Sequence, residues 1–260
     1  MKHACRLGLL GVALILPGAR AQDILFDFDN APVHTSLPLA LSAGGVTANF
    51  SATGQGFSIQ PANTMGFTPA GFGGNCIYPN SIYAADLVVV FSQRLTSFSI
   101  LYAPQELGCD SSARMRATAY LDGIVVGTST TNAGAPGTWP SEVLSFASGA
   151  EFNSIIVHYD APPACQDYGP IFMADNMRIV PAPPSIVLRG ATRGTSGVFQ
   201  FSFTNTPGRS FTVWRATNAV SPLTNWTAVS ALTEVSAGWF QFTDSQPATN
   251  GSRFYRVSSP

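Results

Sequence analysis

Residues 199–203 read Phe-Gln-Phe-Ser-Phe, and the same two-residue beat returns three times before the chain ends. Phe211 and Val213 bracket Thr212, Phe240 and Phe242 bracket Gln241, and Tyr255 and Val257 bracket Arg256. Successive side chains of a strand point to opposite faces, so each set lays its apolar groups on one side. Two such half-apolar sheets bury their faces against each other. Residues 185–260 therefore read as a small two-sheet β-sandwich, of a size that fits an immunoglobulin-like or fibronectin-like module.

Upstream the chain is also all-β. No long stretch has a period of 3.6, while alternation is frequent and is broken by Gly, Pro, Asn and Ser clusters. Ten strands are expected near 24–28, 45–50, 56–60, 86–92, 96–102, 114–121, 124–130, 142–147, 152–159 and 172–180. Many short strands with no room for crossover helices point to a jelly-roll-like sandwich over 22–181. The run Val180-Pro181-Ala182-Pro183-Pro184 follows, so 182–184 reads as a stiff proline linker between two domains.

The first residues read as an export signal. Lys2 and Arg6 precede an apolar run, Leu7–Leu16, and Ala19-Arg20-Ala21 has the small-x-small form that a signal peptidase accepts. Ten apolar residues are too few to span a bilayer, which takes about 20. With 1–21 removed, 10 of the 13 basic residues remain, all Arg, against 14 acids, for a net charge of −4. The charge is unevenly shared. Residues 22–181 hold 12 acids and 4 Arg, whereas 182–260 hold 2 acids and 6 Arg. The 45% hydrophobic content excludes a disordered chain, and the overall charge excludes nucleic-acid binding through a basic surface. No membrane insertion is expected once the signal is removed.

Cys76, Cys109 and Cys165 all lie in the acidic domain, and an exported chain meets oxidising conditions, so one disulfide is expected. Simple up-and-down alternation of the ten strands sends the loops 61–85, 103–113, 131–141 and 160–171 to one end, with all three cysteines. Cys109–Cys165 is the favoured pair, since both follow a strand end by a few residues; Cys76–Cys109 is the alternative. The same loops carry Tyr78, Tyr83, Trp139 and Tyr168 beside Asp110, Asp167 and Asn75. Rings beside carboxylates and amides suit sugars, and loops on a rigid scaffold are where binding residues gather. Tyr78, Trp139, Tyr168, Asp110 and Asp167 are thus candidate ligand contacts. The other reading of these rings is that they pack long loops onto the sandwich.

The stretches PGRSFTVWRATNAVSPLTNWTAVS, GWFQFTD and RFYRV resemble a short β-sandwich module found at the C-termini of secreted bacterial proteins. That resemblance implies a spacer or attachment role without catalytic residues. The opening ILFDFDN, the segment GGVTANFS and the closing strand FMADNMRIV resemble jelly-roll domains of exported bacterial proteins, including carbohydrate-binding modules.

Asp175 stands in that closing strand and shares parity with Met173, Met177 and Ile179, so it is expected to point inward with them. A buried carboxylate takes a partner or a proton. Calcium is one partner, through hard oxygen ligands. The resemblance implies the same, because jelly-roll carbohydrate-binding modules often hold a structural calcium near their terminal strands. Asp29 and Asn30, beyond the first strand, are the candidate co-ligands. Backbone N–H groups or Arg are the other partners for Asp175.

No reaction centre is expected. His158 lies on an outer face with Asp160 by parity, His34 sits in a proline-flanked loop, and Glu106, Glu142, Glu151 and Glu234 are scattered. No nucleophile elbow or phosphate loop occurs in a strand-turn-helix context. The chain reads as an exported, non-catalytic protein binding a carbohydrate or cell-surface polymer. A structural spacer or adhesion protein is the alternative, and a hydrolase a more distant one.

Overall fold

The computed structural model describes residues 23–54, 56–104, 114–132, 140–160, 171–194, 197–246 and 252–259. They form two compact units that meet between Ala182 and Pro183. Both are built from antiparallel strands, and the chain is all-β with sandwich architecture. No helix among the described residues is long and apolar enough to cross a membrane.

The first unit runs β1 (Ile24–Phe26), β2 (Leu39–Ala43), β3 (Val46–Ala52), β4 (Phe57–Pro61), β5 (Asn75–Pro79), β6 (Leu87–Pro104), β7 (Arg114–Leu121), β8 (Ile124–Asn132), β9 (Glu142–Asp160) and β10 (Phe172–Pro181). Its hydrogen-bonded order is β4-β5-β10-β6-β9-β7-β8, with β1 on β10 and β3, carrying β2, on β6. The strands β6 and β9 are 18 and 19 residues long, and their mutual register breaks between Val90 and Leu95 and again before Ser97. Before that break β6 pairs with β3; after it, β6 pairs with β10. One ladder therefore folds over into two facing layers. The first layer holds β2, β3, the start of β6, the end of β9, β7 and β8. The second holds β1, β4, β5, β10, the end of β6 and the start of β9. Phe50, Phe57, Phe98, Tyr102, Phe152 and Phe172 fill the space between them and are fully buried. Each such ring contributes about 1.5–3 kcal/mol relative to exposure.

The bend is where sequence and structure part. Ser92, Gln93 and Arg94 are three consecutive exposed residues that mimic a turn, yet the strand runs through them. The expected strands 86–92 and 96–102 are one strand, as are 142–147 and 152–159. Two short strands, β2 and β5, escape detection. The first alternates weakly as Leu-Ala-Leu-Ser-Ala, and the second is five residues between glycines and proline.

A second small core lies outside the sandwich. The connection from β4 to β5 folds over the outer face of the second layer, where Ala62 and Phe72 pack on Cys76, Ala103 and Met173. Tyr78, Met65 and Leu101 border it.

The second unit contains β11 (Arg189–Arg193), β12 (Phe199–Thr204), β13 (Thr212–Ala216), a 3-10 turn (Leu223–Asn225), β14 (Thr227–Ala231), β15 (Thr233–Ser236), β16 (Trp239–Asp244) and β17 (Phe254–Ser258). Sheet β11-β12-β16-β15 packs on sheet β14-β13-β17. The alternating rings do what their spacing predicts: Phe201, Phe203, Phe211, Phe240 and Phe242 are all buried. Phe203 stacks on Phe240 at 5.3 Å, and Phe211 meets both edge-on. Asp244 is buried in this unit. Its Oδ2 accepts from the Tyr255 hydroxyl at 2.7 Å and Arg253 Nη1 at 3.0 Å, and its Oδ1 from Gln246 N at 2.9 Å.

Candidate functional site

Two polar clusters stand out in the first unit. One is a lock at the end of the β4–β5 connection. Asp175 is 1% exposed, and its Oδ2 accepts from Gly73 N at 3.1 Å while Oδ1 accepts from Asn176 N at 2.7 Å. Nearby, Asp29 Oδ1 accepts from Asn75 N at 2.8 Å, and the Asn75 amide donates to the carbonyls of Asp29 and Ala31. The Asn176 amide donates to Gly71 O. Gly73, Gly74 and Asn75 are thereby stitched to the first and last strands. Gly74 has φ +49, and a Cβ there would stand 1.8 Å from Asp29 Oδ1. Only glycine lets the backbone pass so close to that carboxylate.

Asp175 does not share a face with Met177 and Ile179. A bulge between Asp175 and Arg178, with Asn176 at φ +48, reverses the parity of the strand. Met177 and Ile179 enter the sandwich core, whereas Met173 and Asp175 face outward beneath the β4–β5 connection. Burial raises the Asp175 carboxyl to about 7; the Gly73 and Asn176 N–H groups oppose that rise, and Asp29 and Asp27 add to it. Cys76, in the same small core, is pushed up to about 12 by burial and by the Asp175 charge, so its thiol stays protonated.

These residues fit a hydrogen-bonded lock better than a calcium cage. The oxygens of Asp175 and Oδ1 of Asp29 are engaged by N–H groups, which a cation would have to displace. Asn30 is exposed. Among the described residues no three His, Cys, Asp or Glu side chains gather as a metal would need.

The second cluster lies on the outer face of the first layer. Registers across β6, β9 and β7 bring His158 opposite Arg116, Ile156 opposite Thr118 and Ser154 opposite Tyr120, with Val88 and Val90 alongside. His158 Nδ1 lies 2.5 Å from Asp86 Oδ1, and its Nε2 lies 3.4 Å from Asp160 Oδ1. Arg116 donates from Nε and Nη2 to Asp160 at 3.0–3.2 Å, and Arg114 Nε stands 3.5 Å from the same carboxylate. Asp86 is itself anchored to Thr53 by two backbone-directed bonds. The result is a row of charged, hydrogen-bonded groups, from Asp86 to Arg116, fixed on a rigid sheet. Arg116 and Tyr120 are four residues apart on one strand, roughly 13 Å at about 3.3 Å per residue.

The residues singled out in the sequence meet different fates. Tyr78 is half-buried against the small core and packs the connection down. Asn75 is part of the lock. Tyr83 is exposed at 67%. Asp110, Trp139, Asp167 and Tyr168 lie outside the described residues, as do Cys109 and Cys165. Cys76 carries a free thiol, so the alternative pair Cys76–Cys109 is not formed here. Three of the four loops gathered by parity do start and end together. Pro104 pairs with Phe172 and Tyr102 with Glu142, while Arg114 pairs with both Asp160 and Asn132. The parity of β9 correctly puts His158 and Asp160 on an outer face. It cannot show Asp86 and Arg116 beside them, because those come from other strands whose register the sequence does not disclose.

No family model matches the chain, and no curated protein matches it in sequence. Solved structures with some likeness include the Agl-KA catalytic domain, at 11% identity and TM-score 0.37, covering 70% of this chain and 32% of that one. The CBM51-2 and INT domains of Clostridium perfringens ZmpB align at 13% identity and TM-score 0.33, covering 55% and 40%. The CBM22-1–CBM22-2 tandem of Paenibacillus barcinonensis Xyn10C aligns at 12% identity and TM-score 0.30, covering 94% and 92%. This chain thus spans about a third of the first of these structures and two fifths of the second. At such scores the likeness is a general one.

Proposed function

We propose that the protein is an exported, non-catalytic binding protein whose first unit takes glycan on the outer face of its first layer. The observation that carries this reading is the Asp86–His158–Asp160–Arg116 row set on a rigid sheet beside Tyr120. Sugar hydroxyls both donate and accept, and carboxylate, imidazole and guanidinium groups held in place meet them without an ordering cost. The Tyr120 ring and the aliphatic Val88, Val90 and Ile156 offer C–H faces of a pyranose an apolar bed. His158 Nδ1 is within hydrogen-bond reach of Asp86 Oδ1 and its Nε2 faces Asp160 Oδ1 at 3.4 Å, which supports a role for the imidazole in holding this row together. Export rests on Met1–Ala21, which lie outside the described residues.

The test is affinity electrophoresis through gels containing soluble neutral and acidic polysaccharides. Wild type is expected to be retarded by at least one of them. Tyr120→Ala and His158→Ala are expected to weaken retardation about tenfold or more, the scale of one lost stacking or charged contact. Unaltered retardation of both variants, with wild-type melting, would remove the face from the reading. No retardation of wild type in any gel would favour the spacer alternative.

A further inference from the structure

The second unit combines an excess of arginine with a pocket. Its only acids are Glu234 and Asp244, against six Arg. Both acids are spent on structure. Glu234 accepts from Gly208 N and Gly238 N, and Asp244 is the buried acceptor for Tyr255 and Arg253. Arg215 Nη1 is buried 3.5 Å from Asp244 Oδ2 and makes no hydrogen bond. No other Asp or Glu occurs in residues 183–260 for the remaining arginines.

A pocket of about 420 Å³ opens beside this cluster. Arg193 and Arg253 line it with Phe199, Phe254, Gln246 and Ser252. Arg193 is exposed on β11 directly across from Phe199, which in turn is paired with Asp244. Arg215 and Arg253 both stand at Asp244, and Arg193 adds a further guanidinium to the pocket wall. Phe254 is 39% exposed at the rim, and Phe199 is fixed by stacking on Tyr255 at 4.8 Å. The volume is that of a small-molecule site.

We infer that this pocket takes a carboxylated sugar, a uronate residue of an acidic polysaccharide. Such a residue combines what the walls ask for. Its carboxylate answers the excess of arginine over acid in this unit, with Arg193 presenting the planar donor fork that suits it. Its ring offers C–H faces to Phe199 and Phe254, and its hydroxyls meet Gln246 and Ser252. A nucleic acid would satisfy the charge, but a pocket of this size fits a single anionic ring and not a run of phosphates.

The experiment is calorimetric titration of the full chain carrying Tyr120→Ala, so that binding at the face proposed on the first unit is weakened and the effect of Arg193 variants reads the second unit. Tetragalacturonate is the probe, with maltotetraose and a short oligodeoxynucleotide as comparisons. Tetragalacturonate is expected to bind, and to bind more weakly as NaCl rises from about 20 to about 200 mM. Arg193→Gln is expected to weaken it roughly tenfold or more, and Arg193→Lys less. Arg193 is exposed and outside the core, so these variants fold as the parent does. Absence of binding, equal affinity for maltotetraose, equal affinity for the oligodeoxynucleotide, or no effect of Arg193→Gln would each overturn the assignment.

Discussion

Gly74→Ala is expected to destabilise the first unit by about 2–4 kcal/mol, while Gly73→Ala, one residue away, leaves stability within about 1 kcal/mol. The two glycines differ in what surrounds them. At Gly74 the backbone is left-handed, which costs a residue with a Cβ about 1–2 kcal/mol. The new Cβ would also fall 1.8 Å from Asp29 Oδ1. Asp29 must then swing away and give up the bond it accepts from Asn75 N. At Gly73 a Cβ meets nothing within 4 Å. Chemical denaturation of both variants reads the contrast. Proteolysis between Ala62 and Asn75 reads the cause, since releasing the lock frees the connection that Phe72 holds onto Cys76 and Met173. Equal stability of the two variants would contradict the lock.

The two buried aspartates are expected to drive the two units in opposite directions with pH. Asp175 titrates near 7 in the folded chain against 3.8 for an ordinary carboxyl. The folded state therefore binds more protons between those values. Its stabilising contribution is complete below about 3.8 and is lost as pH rises through 7, by up to about 4 kcal/mol. Asp244 is the reverse case. Burial alone would raise its pKa, but the Tyr255 hydroxyl, the Gln246 N–H and the arginines outweigh burial and hold it low. Its contribution is present above the ordinary value and is lost as pH falls. Net charge acts the same way, since the first unit is acidic and the second basic. Scanning calorimetry from pH 4 to pH 8 should show a transition of the first unit that falls with rising pH and one of the second that does not. Asp175→Asn is expected to flatten the first. A first-unit transition that climbs steadily to pH 8 would contradict the assignment of Asp175.

The all-β architecture was legible because apolar alternation is a local signal. The rings at 199–203 and 240–242 name the buried face of the second unit without any knowledge of partners, and all but the half-buried Phe199 are buried there. Burial of Asp175 was legible too, but for an incomplete reason. Parity predicted it through Met177 and Ile179, and the bulge at Asn176 broke that link. The carboxylate is buried anyway, because the β4–β5 connection closes over it. A bulge is set by neighbouring strands, so no pattern within 172–180 announces it. The Asp86–His158–Arg116 row was illegible for a related reason. Each residue is an ordinary outer-face polar group on its own strand, and only the register of three strands makes them neighbours.

Glycan binding is proposed for the outer face of the first layer. Amide chemical-shift mapping of the labelled protein, titrated with whichever soluble glycan retards it, tests this most directly. The expected result is a contiguous set of shifts over Arg116, Thr118, Tyr120, Ser154, Ile156 and His158. Shifts confined to the β4–β5 connection or to other parts of the first unit, with this face silent at saturation, would contradict it.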